Sequence, residues 1–247
     1  MLKEERQNYI IRQINLHNKV LSSDLSVQLN VSEDTIRRDL NELAEAGKIL
    51  KVHGGALSKS FQYPFQENNT YAKDSKKEIA RKALRLIKND MILLVSGGTT
   101  MIELARMLPD TLKCTIFTIS PLVALELAEK PSINVILLGG QLSKSAHINT
   151  GSLTISQLSD IKVDLCIQGA NSISIEDGLT DSDWEVVQIK KAMLKSAVKT
   201  VIICIAEKLN SSQKLRVCQL NAIDYLVTDL SPNDPLLSHY NTHLQII

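Results

Sequence analysis

Apolar residues recur along the chain in two rhythms, and the change between them divides it. Over the first 57 residues the spacing is helical. Ile10, Ile11 and Ile14 fall on one face of a helix predicted over Glu4–Asn18. Leu21, Leu25 and Leu29 mark a second, shorter helix, and Ile36, Leu40 and Leu43 a third. Ser32 stands before the third helix as its N-cap, and Glu33 and Asp34 place negative charge at its positive end. Gly47 stops it. Lys48–Ala56 then alternates basic and apolar residues up to a Gly-Gly turn, the pattern of a β-wing.

Residues 58–75 carry no helical period and read as a linker. The segment 76–247 alternates short apolar runs with helices. Strands are predicted over Met91–Val95, Cys114–Thr118, Ile133–Leu138, Val163–Gly169, Val201–Ala206 and Tyr225–Asp229, with an edge strand over Leu244–Ile247. Helices are predicted over Lys76–Lys88, Thr99–Leu108, Pro121–Glu129, Ser152–Leu158 and Asp183–Ala197. The six basic residues from Lys76 to Lys88 are placed to reach DNA phosphate or to form a solvated face, and the solvated face is the preferred reading. The expected fold is α/β: a small winged helix-turn-helix domain over 1–57, then a larger domain over 76–247 with a mostly parallel sheet.

A lone Arg37-Arg38 pair would read as ordinary surface arginines. Two flanks change that. Only Val31 and Ser32 separate the second and third helices, which is helix-turn-helix spacing, and the basic wing follows directly. Arginine on such a helix can pair bidentately with guanine. The predicted DNA contacts are Ser22, Ser32, Thr35, Arg37, Arg38, Lys48, Lys51 and His53.

In open α/β sheets ligands bind beyond the carboxyl ends of the strands. Ser96-Gly97-Gly98-Thr99-Thr100 lies between a predicted strand and a helix start, where free N–H groups and hydroxyls suit a phosphate. Chemistry alone leaves a second reading open, a tight turn with a threonine cap. Thr118, Ser120, Gly139, Gly140 and Gly151 sit in further small, polar turns. Asp181, Glu185 and Lys190 follow in a loop and helix suited to sugar hydroxyls, with helix capping the competing role for the acidic residues.

Val31–Leu40, Gly47 and Val52-His-Gly-Gly-Ala56 together resemble the DeoR family of bacterial transcription regulators. Gly98-Thr-Thr100, Gly139-Gly140, Gly151, Gly178-Leu-Thr180, Glu185 and Lys190 match the pattern of its C-terminal domain. The resemblance implies a sugar-phosphate-isomerase-like domain that senses a phosphorylated sugar, and a homo-oligomer that binds double-stranded operator DNA as a repressor. Three places depart from the family. Ser96 stands where it commonly has Asp, Ile119 where it has Asn, and Glu207-Lys-Leu-Asn210 displaces the lysine of an Asp-x-x-Lys. The lost carboxylate and the lost amide remove groups that bond sugar hydroxyls, which keeps phosphate binding but leaves the sugar unidentified. Two other functions use the same parts: an isomerase-like enzyme with a DNA-binding appendage, and a transcription activator.

The 247 residues carry a net charge of +1, so attraction to DNA must come from local clusters. Residues 1–58 hold eight basic and eight acidic side chains. The four cysteines have no Cys-x-x-Cys spacing and read as reduced thiols, and His239 and His243 have no third ligand nearby. No metal, cofactor or catalytic residue is expected. The first residues do not resemble a signal peptide and no apolar run reaches membrane length, so the expected location is the cytoplasm without membrane contact.

Overall fold

The computed structural model describes residues 1–17, 19–59 and 71–247. They form two compact units, Met1–Tyr71 and Ala72–Ile247. The stretch read as a linker falls mostly on 60–70, outside the described residues.

The first unit holds three helices, α1 (Lys3–His17), α2 (Ser22–Leu29) and α3 (Glu33–Glu45). Strands β1 (Lys19–Leu21), β2 (Ile49–Val52) and β3 (Gly55–Ser58) form an antiparallel sheet in the order β1-β3-β2. Ile10, Ile14, Leu25, Ile36, Leu40, Leu43, Ile49 and Ala56 make its core. Leu21 differs from expectation: it ends β1, pairs with Gly55 and is 40% exposed. Strand pairing claims it before the helix begins. Asn30 turns the chain in the left-handed region at φ 51°, which Asn tolerates better than most residues, and α3 starts three residues on. Gly47 closes α3 as its N–H donates to Ala44 and that of Lys48 to Leu43.

An ion pair locks α1 against α3. Arg6 Nε donates to Asp39 Oδ2 at 2.5 Å and Nη2 to Oδ1 at 3.2 Å, with Asp39 only 2% exposed. Hydrogen bonding to Asp39 raises the Arg6 pKa above its ordinary value against the opposing effect of desolvation. Asp39→Ala should destabilise this unit by about 2–3 kcal/mol in denaturant titration, the lower part of the range for broken buried pairs because Arg6 still reaches solvent. A change within 0.5 kcal/mol would deny the pair this role.

The second unit is built on a seven-stranded, wholly parallel sheet. Its strands are β4 (Ile92–Val95), β5 (Cys114–Thr118), β6 (Ile133–Leu137), β9 (Val163–Gly169), β12 (Ala197–Ile203), β14 (Tyr225–Val227) and β15 (Gln245–Ile246). The order is β15-β14-β12-β9-β4-β5-β6. The chain starts at β4, runs outward through β5 and β6, then returns to the other side of β4 at β9. The reversal between β4 and β9 is a topological switch point. The helices are α4 (Lys73–Ala83), α5 (Thr99–Met107), α6 (Pro121–Ala128), α7 (Ser152–Ser159) and α8 (Trp184–Lys195).

Two smaller structures were not foreseen. Strands β7 (Gln141–Ser143) and β8 (Ile148–Thr150) form a hairpin, and β10 (Ser172–Ser174), β11 (Gly178–Asp181) and β13 (Leu215–Cys218) form an antiparallel sheet in that order.

Helix α4 corrects the reading of its basic residues as one solvated face. Lys76 and Lys82 are each only 9% exposed. Lys82 Nζ donates to the carbonyls of Thr228, at 2.8 Å, and Leu230, so it ties α4 to the turn after β14. Arg81, Arg85 and Lys88 are exposed. The four cysteines are free thiols, three of them buried.

Candidate DNA-binding surface and effector site

On α3 the core takes Ile36, Leu40 and Leu43, which turns Arg37, Arg38 and Asn41 outward. Ser32 caps the helix: its Oγ accepts from Thr35 N–H at 3.3 Å and lies 2.9 Å from Thr35 Oγ1. Arg37 is exposed and held along its own helix by Asp34 at 3.4 Å and Glu33 at 3.5 Å. Arg38 is exposed and has no ion-pair partner among the described residues. Lys48 is exposed at the start of the wing, Lys51 reaches back to Asn41 Oδ1, and His53 is exposed at the wing turn. Ser22 stands apart: it is 5% exposed and its N–H donates to Gly54 O at 2.8 Å, so it holds the wing turn to α2 from the inside.

The first group of predicted effector residues lies at the switch point. Ser96 directly follows β4 and is buried, with its N–H donating to Ile167 O and its Oγ accepting from Gly169 N–H at 3.2 Å. The turn after β4 is thereby stitched to the end of β9. A Cβ on Gly97 would lie 2.4 Å from Ile148 Cγ2, so the β8 segment packs directly on this turn. Gly98 is the N-cap of α5 at φ 115°, a conformation open to glycine, and a Cβ there would meet nothing within 4 Å. No side chain caps α5, and the hydroxyls of half-buried Thr99 and Thr100 have no partner among the described residues. The N–H groups of Thr99 and Thr100 likewise have no hydrogen-bond partner among the described residues.

The remaining predicted residues divide. Thr118 Oγ1 accepts from Ser120 N–H, and Ser120 caps α6 and donates to His147 O. Both are buried and serve the turn. Gly139 O accepts from Thr154 Oγ1 at 2.8 Å, and Gly140 lies against the same threonine. Gly151 begins α7 as a second N-cap without a side-chain cap. Asp181 is buried beside Lys190, Oδ2 to Nζ 2.8 Å, and also accepts from Ser182 N–H and Asn171 Nδ2. Burial pushes its pKa up, but the Lys190 charge and these hydrogen bonds prevail and hold it below the ordinary carboxylate value. Glu185 is exposed, while Asp183 caps α8 by accepting from the N–H groups of Glu185 and Val186.

Three residues at this site were not selected from sequence. Asn171 orients Asp181. Lys208 Nζ donates to Ala170 O at 3.0 Å, one residue beyond the stitched Gly169. Lys76 feels the Lys208 charge from α4. The available signal for Lys208 was its place in Glu207-Lys-Leu-Asn210, a few residues past the strand that ends at Ile203.

Among the described residues no group of three His, Cys, Asp or Glu is arranged to hold a metal, and no helix is long and apolar enough to cross a membrane.

A winged helix with an exposed arginine face, carried on the same chain as an α/β unit with a topological switch point, defines a DNA-binding regulator with a sensor domain. The comparisons agree. Residues 6–62 match the DeoR-like helix-turn-helix domain and residues 72–230 the DeoR C terminal sensor domain. The chain belongs to the DeoR family of transcription regulators, which is made up of regulators rather than enzymes. It is 32% identical to the HTH-type transcriptional regulator GolR of Listeria innocua, over 97% of this chain and 96% of that one. It is 33% identical to the HTH-type transcriptional repressor GlcR of Bacillus subtilis, over 94% and 91%. It is 30% identical to the glycerol-3-phosphate regulon repressor of Escherichia coli, over 94% and 93%. Among solved structures, a D-ribose-5-phosphate isomerase overlays 56% of this chain and 55% of its own with a TM-score of 0.42 at 17% identity.

Proposed function

We propose that this regulator represses a sugar-utilisation operon and leaves its operator when a phosphorylated sugar binds at the switch point. The observation that carries this is the Ser96–Thr100 turn. A glycine-capped helix start with open N–H groups and two unpartnered hydroxyls is a phosphate cradle. Two of the named relatives are repressors, which supports the sign. The protein acts in the cytoplasm as a homo-oligomer, because one recognition helix spans too few base pairs and paired half-sites lengthen the target.

Ser32, Thr35, Arg37 and Arg38 read bases, while Lys48, Lys51 and His53 add phosphate contacts. Arg38→Ala should weaken specific operator binding by ~1–3 kcal/mol in fluorescence anisotropy. Lys48→Ala should lower affinity for all sequences and flatten the salt dependence. Arg37→Ala should cost less than Arg38→Ala, since Arg37 must first leave Glu33 and Asp34. Operator affinity unchanged in both arginine variants would place the reading surface elsewhere. Adding the sugar phosphate should release wild-type protein from the operator.

A further inference from the structure

Lys76, Lys190 and Lys208 with Asp181 and Glu103 form a chain of charges that act on one another near the end of β9. Lys190 and Asp181 are already a pair, saturated further by Asn171 and Ser182. Glu103 of α5 lies 3.5 Å from Arg106, which also holds Glu126 at 2.8 Å. Lys208 is different. The residue as a whole is half-buried, its hydrogen-bond acceptor is the neutral Ala170 carbonyl, and no carboxylate lies within ion-pair distance among the described residues. It sits at the end of β9 beside the stitched Ser96–Gly169 contact, with Lys76 and Lys190 adding like charge. The carboxylate whose charge reaches it, Asp181, is already held by Lys190, so Lys208 has no ion-pair partner of its own among the described residues.

We propose that Lys208 receives a second anionic group on the effector, so that the ligand is a phosphosugar carrying either a carboxylate or a second phosphate. This rests on the reading of Ser96–Thr100 as the phosphate cradle and names the class of sugar that cradle serves. The first anion is held by the N–H groups of α5, and the second completes the ammonium cluster. Electrostatics agree. Burial, with the Lys190 charge opposed by Asp181 and Cys204, lowers Lys208 to about 8. Burial, with Lys208 itself and against Glu103, lowers Lys76 to about 7. A bound anion favours the protonated amine, so binding takes up a proton above that range, and the preference for a second anion fades as pH rises past about 8.

Calorimetric titration of the full chain at neutral pH tests this with matched probes: phosphogluconate against glucose phosphorylated at the same carbon, and fructose bisphosphate against fructose monophosphate. The two-anion member of at least one pair should bind roughly 10- to 100-fold tighter, the worth of one charge-assisted hydrogen bond. The winning pair tells a carboxylate from a phosphate. Lys208→Met should collapse that ratio toward one, and Lys208→Arg should keep most of it, with melting curves of the unliganded variants confirming the fold. Equal affinities within both pairs, or a ratio that survives Lys208→Met, overturn the proposal while leaving the phosphate cradle intact. Absence of binding by all four probes in protein that still holds its operator overturns both.

Discussion

Asp181→Ala should lower the stability of the α/β unit by roughly 3–5 kcal/mol, because it leaves the Lys190 ammonium buried without its partner. The two side chains are 8% and 10% exposed, and their 2.8 Å contact joins the end of β11 to the middle of α8. Replacing both residues at once, Asp181→Leu with Lys190→Met, should restore most of the loss, since removing the pair also removes its desolvation cost. The contribution of Asp181 depends on pH in a definite sense. Its pKa is held below the ordinary carboxylate value, so the stabilisation is complete above about pH 4 and is lost as the pH falls through the depressed folded value. Chemical denaturation of wild type and Asp181→Ala should therefore converge in acid. Curves that stay parallel down to the acid limit would mean that another group carries the effect.

How far the sequence reaches is set by the kind of pattern each element leaves. Ile36, Leu40 and Leu43 recur at helical spacing behind a serine cap, and all three are buried while Ser32 caps α3. The strands of the parallel sheet are short continuous apolar runs, and Cys114–Thr118 and Val163–Gly169 appear at their expected bounds. β12 begins earlier than expected, at Ala197. Its first turn of strand includes Lys199, which pairs with Asp224 at 2.6 Å and so looks polar in sequence.

Strands β10, β11 and β13 are three or four residues long, and β10 and β11 bury the hydroxyls of Ser172, Ser174 and Thr180 beside single apolar residues. Ser172 and Thr180 lie 2.7 Å apart across the ladder, a pairing between residues eight apart that no periodicity announces. Charge is the harder case. Lys76 and Lys82 sit in a run of basic residues alongside exposed Lys and Arg, and only the tertiary position of the Thr228 and Leu230 carbonyls decides that Lys82 turns inward. Lys208 looked like a lysine moved out of place. Its neighbours come from α4, α8 and the β9 end, far apart in the chain, so its environment exists only after folding. Buried hydroxyls misled in the opposite direction: Thr118 and Ser120 stand at a strand end as ligand groups would, yet their hydrogen bonds close the turn into α6.

Thr99→Val with Thr100→Val should raise the effector concentration needed to release operator by about 100-fold or more, with operator affinity in the absence of effector unchanged. Valine keeps the shape and β-branching of threonine, so α5 and its Gly98 cap are retained and only the two hydroxyls are lost. Each hydroxyl makes no other hydrogen bond among the described residues, so nothing inside the protein is left unsatisfied. Each would give the phosphate a charge-assisted bond, worth ~1.5–3 kcal/mol. A ligand shifts an equilibrium only through its differential affinity for the two states, with coupling of ~1–3 kcal/mol typical, and the coupling is reciprocal. Saturating operator DNA should therefore weaken effector binding to wild-type protein by the factor by which effector weakens operator binding. Calorimetric titration with and without operator measures one side and anisotropy with and without effector the other. A double variant that releases operator at the wild-type effector concentration would move the phosphate away from Ser96–Thr100. Effector affinity indifferent to bound operator would mean that the two units act independently, and the inducer mechanism would fall.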